Sequence, residues 1–158
     1  MIDSNNKLFY RDKPTKYQII HDYVDPDYGL MGFDVETDYL KLTPDGILTC
    51  KALYSWDGAS GLTHDDYMNM VPALEHDEIY EAIRMGVLPL SVKEYADDKL
   101  RDGMLERGLY GMEPGSLKYE IEKDFIVARA KMYHDGVDLL GGGSCKPDTD
   151  NRDIKEAF

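Results

Sequence analysis

Ala73-Leu74-Glu75-His76-Asp77-Glu78-Ile79-Tyr80-Glu81-Ala82-Ile83-Arg84-Met85-Gly86-Val87 is the stretch on which the reading of this chain turns. At roughly 100° per helical residue, Ala73, His76, Ile79, Tyr80, Ile83 and Val87 fall on one face. The segment is therefore read as a helix, with Pro72 tolerated in its first turn and Gly86 placed as its C-terminal cap. His76 sits inside the apolar stripe and Asp77 at its edge. A buried imidazole without a hydrogen-bond partner is costly, so partners are sought in Tyr80, one turn on, and in acids of the next helix.

Upstream of this helix the hydrophobic period is 2. Tyr17-Gln18-Ile19-Ile20-His21-Asp22-Tyr23 reads as a strand ending at the turn Asp25-Pro26-Asp27-Tyr28-Gly29. Asp34, Glu36 and Asp38 alternate with Val35 and Thr37, which is better read as a solvated strand face than as an oxygen-rich cation site. Tyr39–Leu42 and Ile47–Tyr54 flank Thr43-Pro44-Asp45-Gly46, the clearest hairpin in the chain. Residues 1–15, polar and interrupted by Pro14, read as an arm. The second hairpin strand runs into Trp56-Asp57-Gly58-Ala59-Ser60-Gly61. That loop is either a cradle whose amides or carbonyls hold an anion or a metal, or a tight strand-to-helix junction under a buried Trp56.

Downstream the period stays at 3.6. Ser91-Val92-Lys93-Glu94 has the form of a capping box, opening a second helix that runs to about Glu106 with Val92, Ala96, Leu100 and Met104 inward and Gly103 as a weak point. The short link through Pro89 makes the first two helices antiparallel neighbours. Leu117, Ile121, Phe125, Ala128, Met132 and Leu139 mark the inward face of a long third helix, stopped by Gly141-Gly142-Gly143. The change of period near residue 60 gives an α+β class: a small antiparallel β-meander, then three helices packed on one face of it. Residues 1–143 form one domain and residues 144–158 a flexible acidic tail.

Charge and composition narrow the function classes. The 158 residues carry 18 Lys plus Arg against 31 Asp plus Glu, a net −13, so the average surface repels nucleic-acid phosphates and anionic lipid heads. Cys50 and Cys145 lie too far apart in sequence to suggest a disulfide framework, which points to a reducing compartment or to indifference to redox conditions. No apolar run approaches the ~20 residues of a membrane span, and Met1–Asn6 lacks the pattern of a signal peptide. The expectation is a soluble protein made in a cytoplasm and not secreted. His21, His64 and His134 read as surface or internally satisfied histidines.

Taken together, Trp56-Asp57-Gly58-Ala59-Ser60-Gly61, His76-Asp77-x-x-Tyr80, Arg84-x-Gly86-x-Leu88, Ala96-Asp97 and Ala128-Arg129-Ala130 resemble a family of small proteins of unknown function encoded by tailed phages and prophages. The resemblance covers about residues 37–143 and implies a β-meander followed by helices, but no established activity. The His76-Asp77-x-x-Tyr80 helix is also similar, more distantly, to the catalytic helix of secreted phospholipase A2, which faces an antiparallel helix bearing an aspartate. That similarity implies His76 as general base for a water, Asp97 as the residue orienting the imidazole, Tyr80 as a hydrogen-bond partner of Asp97, and Asp77 as a ligand of a calcium-like divalent cation. Asp57 and the loop of Gly58, Ser60 and Gly61 would complete the cation site. The paired cysteines and calcium-loop pattern of that family are missing here, and the β-rich half comes first.

A symmetric hairpin of helices sets Asp97 level with Tyr80 and leaves His76 opposite Arg101; an offset of about one turn, ~5.4 Å, brings Asp97 to His76. His76, Tyr80, Asp97 and Asp57 therefore form either a catalytic site or a satisfied polar network that pins the helices. Three classes of function follow: a small phage-encoded hydrolase, a virion component of the tail or neck in contact with other phage structural proteins, or an intracellular phage protein that binds a host protein or a small signalling molecule. The first two place it in the host cytoplasm during infection or in the virion.

Overall fold

A computed structural model describes residues 7–11, 17–58 and 66–145. Among them the strands are β1 (Tyr10–Arg11), β2 (Tyr17–Ile19), β3 (Tyr23–Asp25), β4 (Val35–Glu36), β5 (Leu40–Leu42), β6 (Leu48–Cys50) and β7 (Ser55–Trp56). The helices are α1 (Met70–Arg84), a single 3-10 turn (Leu90–Val92), α2 (Lys93–Leu109) and α3 (Leu117–Ser144). The protein is α+β, with an antiparallel β region followed by helices.

The strands form two small antiparallel sheets rather than one meander. β4, β5 and β6 do meander, but β3 joins the far edge of β6, giving the order β3-β6-β5-β4. The second sheet has the order β1-β2-β7, so the expected arm contributes the strand Tyr10–Arg11. The hairpin about Thr43–Gly46 forms as read, with Gly46 at φ +82° and its amide donating to the Thr43 carbonyl. Leu40 and Leu42 point inward while Lys41 is exposed, as the two-residue alternation requires. The expected continuous second strand breaks after Cys50 at a turn where Leu53 takes φ +75°. β7 then pairs with β2 in the other sheet. Asp34, Glu36 and Asp38 are exposed, and Glu36 ion-pairs with Lys41 and Lys51.

α1 is buried on almost every side, not along one stripe. Val71, Leu74, Ile79 and Ile83 join the core that includes Leu40, Leu42, Leu48 and Cys50, whereas Ala73 joins a second cluster with Leu100, Met104, Ile126 and Tyr133. A helix enclosed this way must also bury polar side chains, and Glu75, His76 and Glu78 are all inside. Val87, expected on the inward face, is exposed, and Leu88 is buried in its place.

Three expectations about the helices are corrected. Ser91 lies in the 3-10 turn and α2 begins without a side-chain cap, so the capping box does not form. α3 does not stop at the glycines but runs through Gly141–Gly143 to Ser144, and Cys145 beyond it is buried. The helix packs with Ile126, Ala130 and Tyr133 inward, leaving Leu117, Ile121, Phe125, Ala128, Met132 and Leu139 exposed. Close approach explains that choice of face. An added Cβ on Gly108 of α2 would stand 2.6 Å from Ile126 Cγ2, so the two helices meet where side chains are absent or small. The expected tail beyond Cys145 lies outside the described residues.

Candidate functional site

Asp97, on α2, receives donors from three directions. His76 Nε2 lies 3.0 Å from Oδ1, the Tyr80 hydroxyl donates to the same oxygen at 2.6 Å, and the Lys93 ammonium donates to Oδ2 at 2.6 Å. His76 and Tyr80 are one turn apart on α1 and stack, with ring centroids 3.9 Å apart. Asp97 thus bridges the two positions between which a symmetric hairpin had forced a choice. Lys93 stands four residues before Asp97 on α2, a spacing that brings the two side chains together.

Electrostatics fix the protonation states. Burial opposes ionisation of Asp97, which is 1% exposed, but the hydrogen bonds from His76, Lys93 and Tyr80 outweigh it and hold the carboxyl below its ordinary range. Burial likewise disfavours the His76 imidazolium, yet Asp77 and Asp97 together raise its pKa above the ordinary value. With the Asp97 carboxylate on Nε2, the neutral imidazole carries its proton there and presents the Nδ1 lone pair on the other side. Nδ1 faces Asp77 Oδ1 at a long 3.5 Å.

His76 and Asp77 both line a pocket of about 640 Å³. Its apolar wall comes from Trp56, Ala73, Leu100, Tyr133 and Val137, and Asp57, Asp77, Glu81 and Arg84 supply charge. Gly141 belongs to the same site: a Cβ there would overlap the Tyr80 hydroxyl and lie 2.9 Å from its Cε2. The glycine run read as a helix stop is what lets α3 pass this close to Tyr80. Arg129 fixes the same helix at its other side, bonding Asp66 just before α1 at 2.5 Å.

Asp57 and Gly58 line the pocket with Asp77, so three of the expected cation-site residues share one cavity. Ser60 and Gly61, like His64, lie outside the described residues. Among the described residues no group of three or more His, Cys, Asp or Glu side chains gathers as metal ligands. His134 pairs with Asp98 at 3.3 Å and His21 stacks on Phe9, both accounted for within the fold. Three groups escaped the sequence reading: the half-buried Lys93 at the site, and the buried Glu75 and Glu78 inside α1.

The class that fold and site define is an α+β protein with a histidine–aspartate couple at the wall of a mixed pocket. No protein-family model, curated protein or solved structure matches the chain. Among the described residues no helix is long and apolar enough to cross a membrane.

Proposed function

We propose that this chain is a small phage-encoded hydrolase in which His76 Nδ1 removes a proton from a water held in the 640 Å³ pocket. The observation that carries the reading is the division of labour on the imidazole. Nε2 is committed to a buried, triply bonded Asp97, while the ring, with Asp77 beside its Nδ1, lines the cavity. Asp97 orients the ring and stabilises the imidazolium as the proton arrives; Tyr80 and Lys93 hold Asp97 in place. The wall of Trp56, Leu100, Tyr133 and Val137 takes an apolar group of the substrate. The phage origin rests on the motifs around Trp56, His76 and Ala128.

The test is a hydrolysis screen over ester, amide and phosphodiester substrates with the parent protein, His76→Asn, Asp97→Asn and Asp77→Asn. Turnover should fall by roughly 10²–10⁴ in the first two variants while their folded fraction is retained. Because His76 acts as a base and its pKa lies above 6.5, the parent rate should climb with pH through a midpoint above that value. Equal turnover in parent and His76→Asn, or no turnover of any class, refutes the reading.

One observation favours a second reading, a virion component. Phe125 is 69% exposed and Leu139 83% exposed, and with Leu117 and Ile121 they line an uncovered side of α3 of the kind a particle subunit seats against its neighbour. The virion reading requires a fixed copy number in purified particles, and absence from them removes it.

A further inference from the structure

We propose that a second pocket, between α1 and the β4–β5 turn, binds a small primary amine as its ammonium, with the Glu78 carboxylate as counter-charge. This pocket measures about 190 Å³ and is walled by Tyr39, Leu40 and Ala82, with Asp38, Glu78 and Glu81 as its acids. Glu78 is 2% exposed, and neither carboxylate oxygen has a hydrogen-bond partner. A buried carboxyl without a partner bears its desolvation cost uncompensated, and an occupant that donates to it would offset that cost. The nearest cation acting on it, Lys51, is already committed, donating to Glu36 Oε1 at 2.9 Å and to the Thr37 carbonyl at 2.7 Å.

The chemistry of the walls selects the ligand. An ammonium brings a compact charge with three donors, and its alkyl stem matches Leu40, Ala82 and the Tyr39 ring. A divalent metal seeks six or more oxygens, whereas no cluster of three or more ligand side chains forms among the described residues.

In the empty pocket Glu78 is protonated. Burial is the main cause, the charges of Glu81 and Asp77 on its own helix add to it, and Lys51 opposes it. Cys50 and Tyr54 face it from the sheet side, and Asp38 shares the pocket. An entering ammonium keeps its own protons, the carboxyl releases one to solvent, and a charge pair replaces a neutral acid. Affinity should therefore rise close to tenfold per pH unit below the carboxyl's pKa.

Titration calorimetry of the full chain with n-butylammonium chloride tests this at about pH 6, 7 and 8, where the probe stays charged. n-Butanol and sodium chloride at matched concentration serve as controls. The expected result is one saturable site that tightens as pH rises and releases close to one proton per ligand, judged from buffers of different ionisation enthalpy. Glu78→Gln should abolish binding in a folded protein, and Met85→Trp, at a rim position that is 59% exposed, should weaken it. His76→Asn should leave it unchanged, which separates this site from the one proposed for hydrolysis. No saturation at any pH, equal binding of butanol, or unchanged binding by Glu78→Gln overturns the proposal.

Discussion

Glu78→Gln should make the protein more stable at neutral pH and leave it nearly unchanged at about pH 5. Burial, with Glu81 and Asp77 behind it, pushes the Glu78 carboxyl from 4.5 up to about 10. Between those two values the folded protein holds a proton that the unfolded chain has released, so stability falls as pH rises, by about 1.4 kcal/mol per pH unit. From pH 5 to about pH 7.5 the loss comes to about 3 kcal/mol, or about 10 °C in Tm for a chain of this size. Gln keeps the volume and the buried polar head but has no proton to lose. Glu75, raised to about 8 chiefly by burial, and His76, whose raised pKa gives stability that is present below 6.5 and lost as pH rises through its folded value, act in the same window. Both are shared by parent and variant, so the difference between the two isolates Glu78. Urea denaturation followed by circular dichroism across this range reads it directly. Parallel stability–pH curves for parent and variant would refute the assignment of a buried, protonated, unbonded carboxyl.

Two further substitutions probe the wall of the histidine site. Gly141→Ala should destabilise by about 1–3 kcal/mol through overpacking against Tyr80. Gly142→Ala, whose added Cβ meets nothing within 4 Å, should gain about 0.5–1 kcal/mol of helix propensity; equal effects in urea melts would reject the close approach of α3 to Tyr80. Lys93→Met should cost about 1–3 kcal/mol at neutral pH by removing one of the donors to buried Asp97. Asp97 contributes stability that is present above 3.8 and lost as pH falls through its lowered folded value, so the gap between parent and Lys93→Met should close in acid. No gap at neutral pH would remove Lys93 from that network.

The parts of the fold that could be read from the sequence rested on periodicity and turn chemistry. The hairpin about Pro44 and Gly46 and the three long helices are local properties of their own residues. The inward face of α3 is not. Leu117, Ile121 and Phe125 outrank Ile126, Ala130 and Tyr133 in bulk, but the face that packs is the one whose shape admits Gly108. Gly141 misled for a related reason: helix propensity is a weak prior, and contact with Tyr80 overrides it. The link of His76 and Tyr80 to an acid on the next helix was legible from the need of a buried imidazole for a partner. Lys93 carried an equally plain signal, its place four residues before Asp97 on the same helix. Glu78 carried none, since nothing in a sequence sets a buried glutamate apart from the many that lie in water.

Asp97 and Glu78 are buried to the same degree, on neighbouring helices, and end in opposite states. The first is ionised and holds three side-chain donors; the second is neutral and holds none. A fold that gathers Lys93, Tyr80 and His76 around one acid has the means to satisfy a buried carboxyl, so neglect of the other is not a general failure of packing. Glutamine, or a leucine of similar size, would fill the position of Glu78 without a carboxyl that must be kept protonated at neutral pH. Positions poor for stability are common where a chain binds or reacts, and that is the physical ground for assigning the small pocket a ligand. The same comparison bears on His76. An imidazole needed only to pin two helices would be fully served by Asp97, yet His76 also lines a large cavity with Asp77 beside its Nδ1, and the two acids raise the pKa of a group already penalised by burial. A base at the wall of a cavity, with one nitrogen held by an ionised acid, is what proton removal from a bound water requires.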